Sequence, residues 1–250
     1  RCCWRLSPQR ISVTEPLLRP DWALPEAVQS AVTTCFGGVS EPPYGTLNVA
    51  SHVADQPARV AENRRRVEVL AELPAPPLWL QQVHGTRVLM ANPSSANEQQ
   101  ADAAYTRDRH CVLAIMAADC LPILLCSDDG EEIAAIHAGW QGLAGHIIDA
   151  TVARFSARKI SAWLGPAIGP CHYEVDEPVR SRFDSNFGFG PGKDDGHWML
   201  DLFAVARRQL SKAGVASIAG GECCTYCDSR FYSHRRDGQT GRFAALIWRR

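Results

Sequence analysis

The chain has 250 residues, of which 46% are hydrophobic and 21% charged, and this composition is typical of a globular protein that buries a core. Its 26 basic and 27 acidic residues leave a formal charge of -1, so no general electrostatic attraction draws it to nucleic acid or to an anionic membrane. No run of about 18 apolar residues predicts a membrane helix. We therefore expect a cytoplasmic protein without nucleic-acid or membrane partners. The composition leaves the oligomeric state open.

Charged residues and prolines interrupt the first 21 residues, and we expect residues 1–21 to form a loose arm. No internal repeat or low-complexity linker divides the remainder. The sequence therefore predicts a single domain over residues 22–250.

The predicted elements begin with a helix over residues 57–70, where Asp55 can cap the first turn and Pro57 suits its start. Short apolar runs bounded by Asp, Gly or Pro then predict buried strands. These strands cover residues 78–83, 86–90, 111–116, 121–126, 133–137, 160–164 and 243–248. Further helices are predicted over residues 142–155, 178–187 and 200–213. Because strands and helices follow no steady β-α-β rhythm, we expect an α+β fold, in which layered mixed β-sheets are flanked by helices.

Three segments each carry a metal-capable side chain at the end of an apolar run: His84, Cys120 and His137. Two imidazoles and one thiolate suit zinc, and three protein ligands leave a fourth tetrahedral position open for water or substrate. The three residues are too far apart in sequence for a zinc finger, so only the fold can bring them together. From the pattern alone, two hydrogen-bonded strand-end histidines and a core cysteine explain these residues equally well.

The 10 cysteines are too sparse for a disulfide-stapled scaffold, and we expect most of them to be reduced and structural. Cys224 and Cys227 have the spacing of a redox motif or a zinc knuckle. However, no second Cys/His pair at knuckle spacing accompanies them. Their spacing alone does not predict a functional site.

A series of short motifs runs from about Ala31 to Trp248. In chain order they are T-T and G-G-V-S at 33–40, P-Y and L-N at 43–48, E-N-R at 62–64, Q-V-H-G at 82–85, A-D-A at 101–103, A-D-C-L-P at 118–122, H-A-G-W at 137–140, W-L-G-P-A-I-G-P at 163–170, C-T-Y at 224–226 and R-R-D at 235–237. In this order they resemble the laccase-domain or multicopper polyphenol oxidase family, the bacterial YfiH-type proteins. The number of matches in one order makes the resemblance specific.

The resemblance implies a purine nucleoside phosphorylase that converts adenosine, inosine and methylthioadenosine to free base and ribose 1-phosphate, and that also deaminates adenosine. It further implies that His84, Cys120 and His137 bind Zn²⁺, for which copper can substitute. Zinc lowers the pKa of water to about 7, and this supplies the nucleophile that deamination at C6 of adenine requires.

Laccase activity does not follow from the family's older name. A trinuclear copper centre is built largely from paired His-X-His ligands. The 8 histidines of the chain contain no pair at that spacing. We therefore do not expect oxidation of polyphenols.

The remaining candidates are assigned by chemistry. Asp102 and Asp119 are acid-base or ligand-supporting candidates and join Cys120 and His137 as predicted catalytic residues. Phosphorolysis also requires an anion beside C1′ of ribose, for which Arg64, Arg242 and the backbone amides of residues 139–145 are candidates. The substrate-binding candidates further include Asn48, which lies in a matching motif, and the aromatic residues Tyr44, Trp140 and Tyr226, which can stack on a purine.

Two positions depart from the family pattern. Cys35 stands where the first motif has arginine, and Gln141 replaces the arginine after H-A-G-W. Both changes remove a cation near the expected site. They put phosphorolysis in more doubt than zinc binding.

Two other functions fit the same residues. A cysteine hydrolase or deamidase would use Cys120 as nucleophile and His137 as base. A non-catalytic binding or editing protein would keep the zinc as a structural ion.

Overall fold

In the computed structural model, which describes residues 14–157 and 159–250, two large β-sheets pack face to face and carry helices on their outer faces. The strands are β1 (Leu17–Leu18), β2 (Val28–Thr33), β3 (Pro77–Trp79), β4 (Val88–Met90), β5 (Ala103–Thr106), β6 (Val112–Ala117), β7 (Leu121–Ser127), β8 (Ile133–Ala138), β9 (Ile160–Leu164), β10 (Glu174–Asp176), β11 (Phe189–Pro191), β12 (His197–Leu200), β13 (Ser217–Gly220) and β14 (Phe243–Arg249). The helices are α1 (Pro57–Ala71), α2 (Trp140–Ala144), α3 (Ile147–Val152), α4 (Glu177–Arg180), α5 (Leu202–Lys212) and α6 (His234–Asp237).

The sheets are mixed. The first has the strand order β1-β2-β14-β6-β3, in which only β3 runs parallel to its neighbour. The second has the order β13-β9-β7-β8-β5-β4, with parallel pairs at both edges and antiparallel pairs in the middle. A small antiparallel sheet, β10-β12-β11, is separate from both. The expected α+β fold with layered mixed sheets is confirmed.

Three apolar clusters occupy the spaces between these layers. The middle cluster lies between the two large sheets and includes Leu113 and Leu124. The other two pack α1 against the outer face of the first sheet and α2, α3 and α5 against the outer face of the second. Strands buried on both faces read as continuous apolar runs, which explains why β6, β7, β8, β9 and β14 could be predicted from sequence.

Three of the predicted elements are wrong in extent. The helix expected over 142–155 is broken into α2 and α3, because Gly145 ends the first and His146 adopts a left-handed backbone conformation with φ of 64°. The helix expected over 178–187 stops after Arg180, where turns follow. The strand expected over 78–83 ends at Trp79 and continues only as a bridge between Gln81 and Gln100.

Residues 1–13 of the expected loose arm lie outside the described residues. The described part of the arm is attached to the first sheet, because Leu17 and Leu18 pair with β2. Arg19 also stacks on Trp248, with 5.5 Å between its guanidinium carbon and the centre of the ring. No described helix has both the length and the apolar character needed to span a membrane.

Candidate metal centre

The three metal-capable side chains meet where the two large sheets are connected. Cys120 lies in the crossing from β6 to β7, His137 lies near the end of β8, and His84 lies in the loop between β3 and β4. Their ligand atoms all lie within 4.8 Å of one another. His137 is buried and His84 is exposed, so the group extends from the core to the surface.

Asp102 organises two of the three side chains. One carboxylate oxygen accepts from the backbone N–H of His84 at 2.9 Å and lies 2.8 Å from Nδ1 of His137. The other accepts from the N–H groups of Val83 at 3.2 Å and Gly85 at 2.7 Å. The carboxylate thereby holds the loop around His84, whose φ is 59°, and fixes the ring of His137. A carboxylate that orients the far nitrogen of a histidine is the usual partner of a metal-ligating imidazole.

The electrostatics of Asp102 suit this positioning role. Burial alone would raise its pKa, but the hydrogen bonds from His137 and from the backbone amides of Gly85 and Val83 outweigh burial, and the net pKa is lowered. The side chain is fully buried and does not line the cavity described below. These contacts fit the ligand-supporting role, one of the two roles that the sequence analysis considered for Asp102.

Asp119 fixes the backbone on the other side of Cys120. Its φ is 90°, a left-handed backbone conformation that a non-glycine residue adopts only where surrounding contacts hold it in place. The carboxylate accepts from the hydroxyl of Thr225 at 2.7 Å and from the backbone N–H of Arg235 at 2.6 Å, and the backbone carbonyl accepts from Ile168 at 2.9 Å. Asp119 thus ties three loops to the turn that presents Cys120, although it also borders the cavity.

Gly139 leaves the space in which the ligand side chains meet. A Cβ added there would lie 2.9 Å from the Cys120 sulfur and 3.1 Å from Nδ1 of His84. Any side chain at this position would displace the ligand atoms. The glycine of H-A-G-W is therefore explained by packing at the metal group.

Charges within the group favour the thiolate. Burial opposes ionisation of both Cys120 and His137, but the negative sulfur and the positive imidazole stabilise each other. The pKa of Cys120 is therefore lowered and that of His137 is raised, with Asp102 adding to the latter. The thiolate is the form of cysteine that binds metals and acts as a nucleophile.

The metal-capable group opens into a cavity of about 420 Å³, which is within the range of small-molecule sites. Trp140, Gln141 and Arg242 line it, as the sequence analysis anticipated for that region. Its other lining residues, apart from the metal-capable group and Asp119, are His52, Gln82, Met116, Ala117, Ala118, Tyr173, His234 and Arg235.

Arg64, one of the predicted substrate-binding residues, lies elsewhere. It lines a separate cleft, where its Nε donates to the carbonyl of Val49 at 2.9 Å and its guanidinium stacks on Trp79 at 4.6 Å.

Asn48 and Tyr44 do not line the cavity. Asn48 is fully buried, and its amide is used by Asp55 and by the backbone of Ala50 and Arg242. Tyr44 is buried, with its hydroxyl accepting from Gln239 at 2.5 Å.

The contacts of three further candidates are as follows. Tyr226 stacks on His172, with ring centres 3.9 Å apart, instead of lining the cavity. Amides of the 139–145 run are partly used within α2, since Leu143 donates to Gly139 and Gly145 donates to Gln141. Cys35 also lies outside the cavity lining, and its thiol donates to the carbonyl of Ser229 at 3.4 Å.

Sequence reasoning missed several cavity residues. Gln82 is fixed by two hydrogen bonds to the backbone of Met116, at 2.7 and 2.8 Å. Arg235 donates to the carbonyl of Glu174 at 3.0 Å and lies over the ring of Tyr173. Arg235 belongs to the R-R-D motif and Gln82 to Q-V-H-G, so both motifs carried a signal that the chemistry of single residues did not reveal.

Comparison with known proteins matches the chain to one family model and to relatives that share one name. Residues 29–250 match the family model described as multi-copper polyphenol oxidoreductase laccase. A purine nucleoside phosphorylase of Pseudomonas aeruginosa is 44% identical and aligns with 92% of this chain and 97% of its own length. The purine nucleoside phosphorylase YfiH of Escherichia coli is 42% identical, over 93% of this chain and 98% of its own length.

Solved structures agree with the fold. A Neisseria meningitidis protein superposes with a TM-score of 0.89 at 38% identity, covering 94% of this chain and 99% of that protein. YlmD from Geobacillus stearothermophilus superposes with a TM-score of 0.84 at 34% identity, covering 90% and 93% of the two chains.

Proposed function

Because the chain belongs to the multi-copper polyphenol oxidoreductase laccase family, whose relatives above are named purine nucleoside phosphorylases, we propose that it is a metal-dependent purine nucleoside phosphorylase. The observation that carries the proposal is the group of His84, Cys120 and His137 at the side of a cavity that also presents arginine and aromatic side chains. A phosphorolytic site must hold an anion, a sugar and a purine together, and arginine and aromatic side chains beside one cavity can bind the anion and the purine. We propose the same site for adenosine deamination.

The donor set fits zinc. One thiolate and two imidazoles are borderline-soft ligands, and the ring of His137 already contacts a carboxylate, which is a common partner of a metal-ligating histidine. When bound, zinc supplies Lewis acidity beside the cavity. Copper is accepted by the same ligand types, so it can substitute during expression.

Residues that line the cavity would bind the phosphate and the purine. Arg235 and Arg242 carry the positive charge that would hold phosphate, since both line the cavity. Trp140 and Tyr173 offer aromatic surface against which a purine can be oriented. Gln141 can donate hydrogen bonds but adds no charge.

Product analysis tests the proposal. Purified protein is incubated with adenosine, inosine or methylthioadenosine, with and without phosphate, and the base and sugar products are quantified. We expect free base and the corresponding sugar 1-phosphate in equal amounts, only when phosphate is present. Adenosine should also yield inosine without phosphate. Free base accompanied by free sugar, in the absence of phosphate, would replace phosphorolysis by hydrolysis.

Phosphate binding gives a second test. Replacing Arg242 by alanine is expected to raise the phosphate concentration for half-maximal phosphorolysis roughly 10- to 100-fold, because a hydrogen bond to a charged group is worth about 1.5 to 3 kcal/mol. Gln141→Arg is expected to lower that concentration by restoring a cation at the cavity wall. Adenosine deamination, which needs no anion, should change little in the Gln141→Arg variant.

Arg64→Ala is the matched control, since Arg64 lines a different cleft. Its phosphate dependence should equal that of the unmodified protein. Unchanged phosphate saturation in both Arg242→Ala and Gln141→Arg would show that the anion is held elsewhere.

One observation also favours a cysteine hydrolase. The lowered pKa of Cys120 beside His137 is the activation that a nucleophilic cysteine needs. Such an enzyme would not require metal, and this separates the two functions. A binding or editing protein would take up a nucleoside without forming product.

Polyphenol oxidation gains no support from the ligand set, because two histidines and one cysteine form a group for a single ion. The cytoplasmic location and the lack of nucleic-acid partners rest on the sequence and stay predictions.

A further inference from the structure

A second metal-capable group lies outside the cavity. It consists of Cys171, His172, Cys224 and Cys227, called here the four-donor cluster, and its ligand atoms all lie within 4.8 Å of one another. Nδ1 of His172 is 3.1 Å from the sulfur of Cys171 and 3.5 Å from that of Cys227. Within residues 14–157 and 159–250, none of the three cysteines forms a disulfide.

The donor set and its dimensions fit zinc. Three thiolates and one imidazole form a closed tetrahedral set of the structural type. Donors held at about 2.3 Å for sulfur and about 2.0 Å for nitrogen lie about 3.5 to 3.8 Å apart in a tetrahedron. The separation between Nδ1 of His172 and the sulfur of Cys227, 3.5 Å, already has this value, and no two ligand atoms of the four-donor cluster lie more than 4.8 Å apart.

The surroundings hold two of the donors in place. The backbone N–H of Gly169 donates to the sulfur of Cys224 at 3.1 Å, and such a bond stabilises a thiolate. The approach depends on glycine, because a Cβ at position 169 would lie 3.2 Å from both Cβ and the sulfur of Cys224. The ring of His172 is stacked on Tyr226 with an angle of 14° between the planes, which fixes its orientation.

The four-donor cluster joins two loops. Cys171 and His172 follow β9, whereas Cys224 and Cys227 follow β13. The loops also meet through a parallel bridge between Ala167 and Cys224. This explains why sequence spacing gave no signal, since the partners of the C-x-x-C pair are adjacent residues more than 50 positions away.

We propose that the four-donor cluster binds a second zinc ion, which is structural and distinct from the ion at His84, Cys120 and His137. With four protein donors the site leaves no position for substrate. The ion would clamp the two loops beside Tyr173, which lines the cavity and directly follows His172. The proposal does not depend on the proposed phosphorolysis.

Zinc content per chain tests the proposal. The unmodified protein, Cys120→Ala, Cys227→Ser and the double variant are equilibrated with zinc under a phosphine reductant, freed of unbound metal and analysed by mass spectrometry for the element. We expect two, one, one and zero ions per chain. Cys223→Ser is the matched control, because this neighbouring thiol contacts Asp228 and is not a member of the cluster. It should retain two ions.

A cobalt spectrum makes the test independent of whether Cys227→Ser folds. Cobalt bound to Cys120→Ala should show near-ultraviolet sulfur-to-metal charge transfer, which reports thiolate ligation. Failure of Cys120→Ala to bind zinc, or equal zinc content in Cys120→Ala and the double variant, would overturn the proposal. So would a disulfide within the cluster that persists under the reductant, detected as the loss of two hydrogens from the intact mass.

Discussion

Cys120→Ala is expected to bind one metal ion fewer per chain than the unmodified protein and to lose at least about 100-fold in kcat/KM for phosphorolysis. Changing a residue that merely orients a ligand costs about 10- to 100-fold in metal affinity or activity, and removing a ligand must cost more. The thiolate is also the only anionic donor in the group with His84 and His137. Metal analysis and steady-state kinetics on the same preparation measure both effects.

Cys126→Ala is the matched control for this variant. Cys126 is buried in β7, the strand that Cys120 precedes, and its thiol contacts only the local backbone carbonyl of Ser127 among the hydrogen bonds of the structure's described residues. This change should leave metal content and kinetics unaltered. Full activity in Cys120→Ala would eliminate both the metal enzyme and the cysteine hydrolase.

Asp102→Asn is expected to have the second largest effect. An amide offers one accepting oxygen, whereas the carboxylate receives three backbone N–H groups and the imidazole of His137. At least one buried donor would face the new NH₂ group without an acceptor, at a cost of about 1 to 3 kcal/mol in the free energy of unfolding. Since the ring of His137 also loses its orienting partner, zinc affinity should fall about 10- to 100-fold.

Asp55→Asn separates the two consequences. Asp55 is also a buried carboxylate, which accepts from Ser40, Asn48 and the backbone of Gln56, but none of these is a metal-capable side chain of the centre. Chemical denaturation should show a loss of stability in both variants, while zinc titration should show weaker binding only in Asp102→Asn. Wild-type zinc affinity in Asp102→Asn would refute the positioning role.

The layers of the fold were largely predictable, because buried strands leave a direct record in the sequence. The apolar runs of β7 and β9 predicted buried strands, and Pro57 predicted the first residue of α1. By contrast, β2 was missed, since its glutamine and serine interrupt the apolar run while the strand is still buried by neighbours distant in sequence. The break at His146 depends on a left-handed backbone that no apolar period reveals.

The candidate site was also predictable from the sequence only in part. His84, Cys120 and His137 could be named because their side-chain chemistry is distinctive and the motifs resemble a family. The role of Asp102 could not be separated from acid-base chemistry until its hydrogen bonds were known. Arg64 and Arg242 looked equivalent as cations, yet one lines a separate cleft and the other lines the cavity. Only the fold determines which arginine faces the metal-capable group.

Removal and return of the metal test the central claim most directly. The protein is stripped with a chelator under reducing conditions, its residual metal is quantified, and phosphorolysis of inosine is measured before and after zinc is added back. We predict that the stripped protein lacks phosphorolytic activity, that zinc restores it, and that zinc does not restore it in Cys120→Ala. Full phosphate-dependent activity in protein shown to contain no metal would contradict the account.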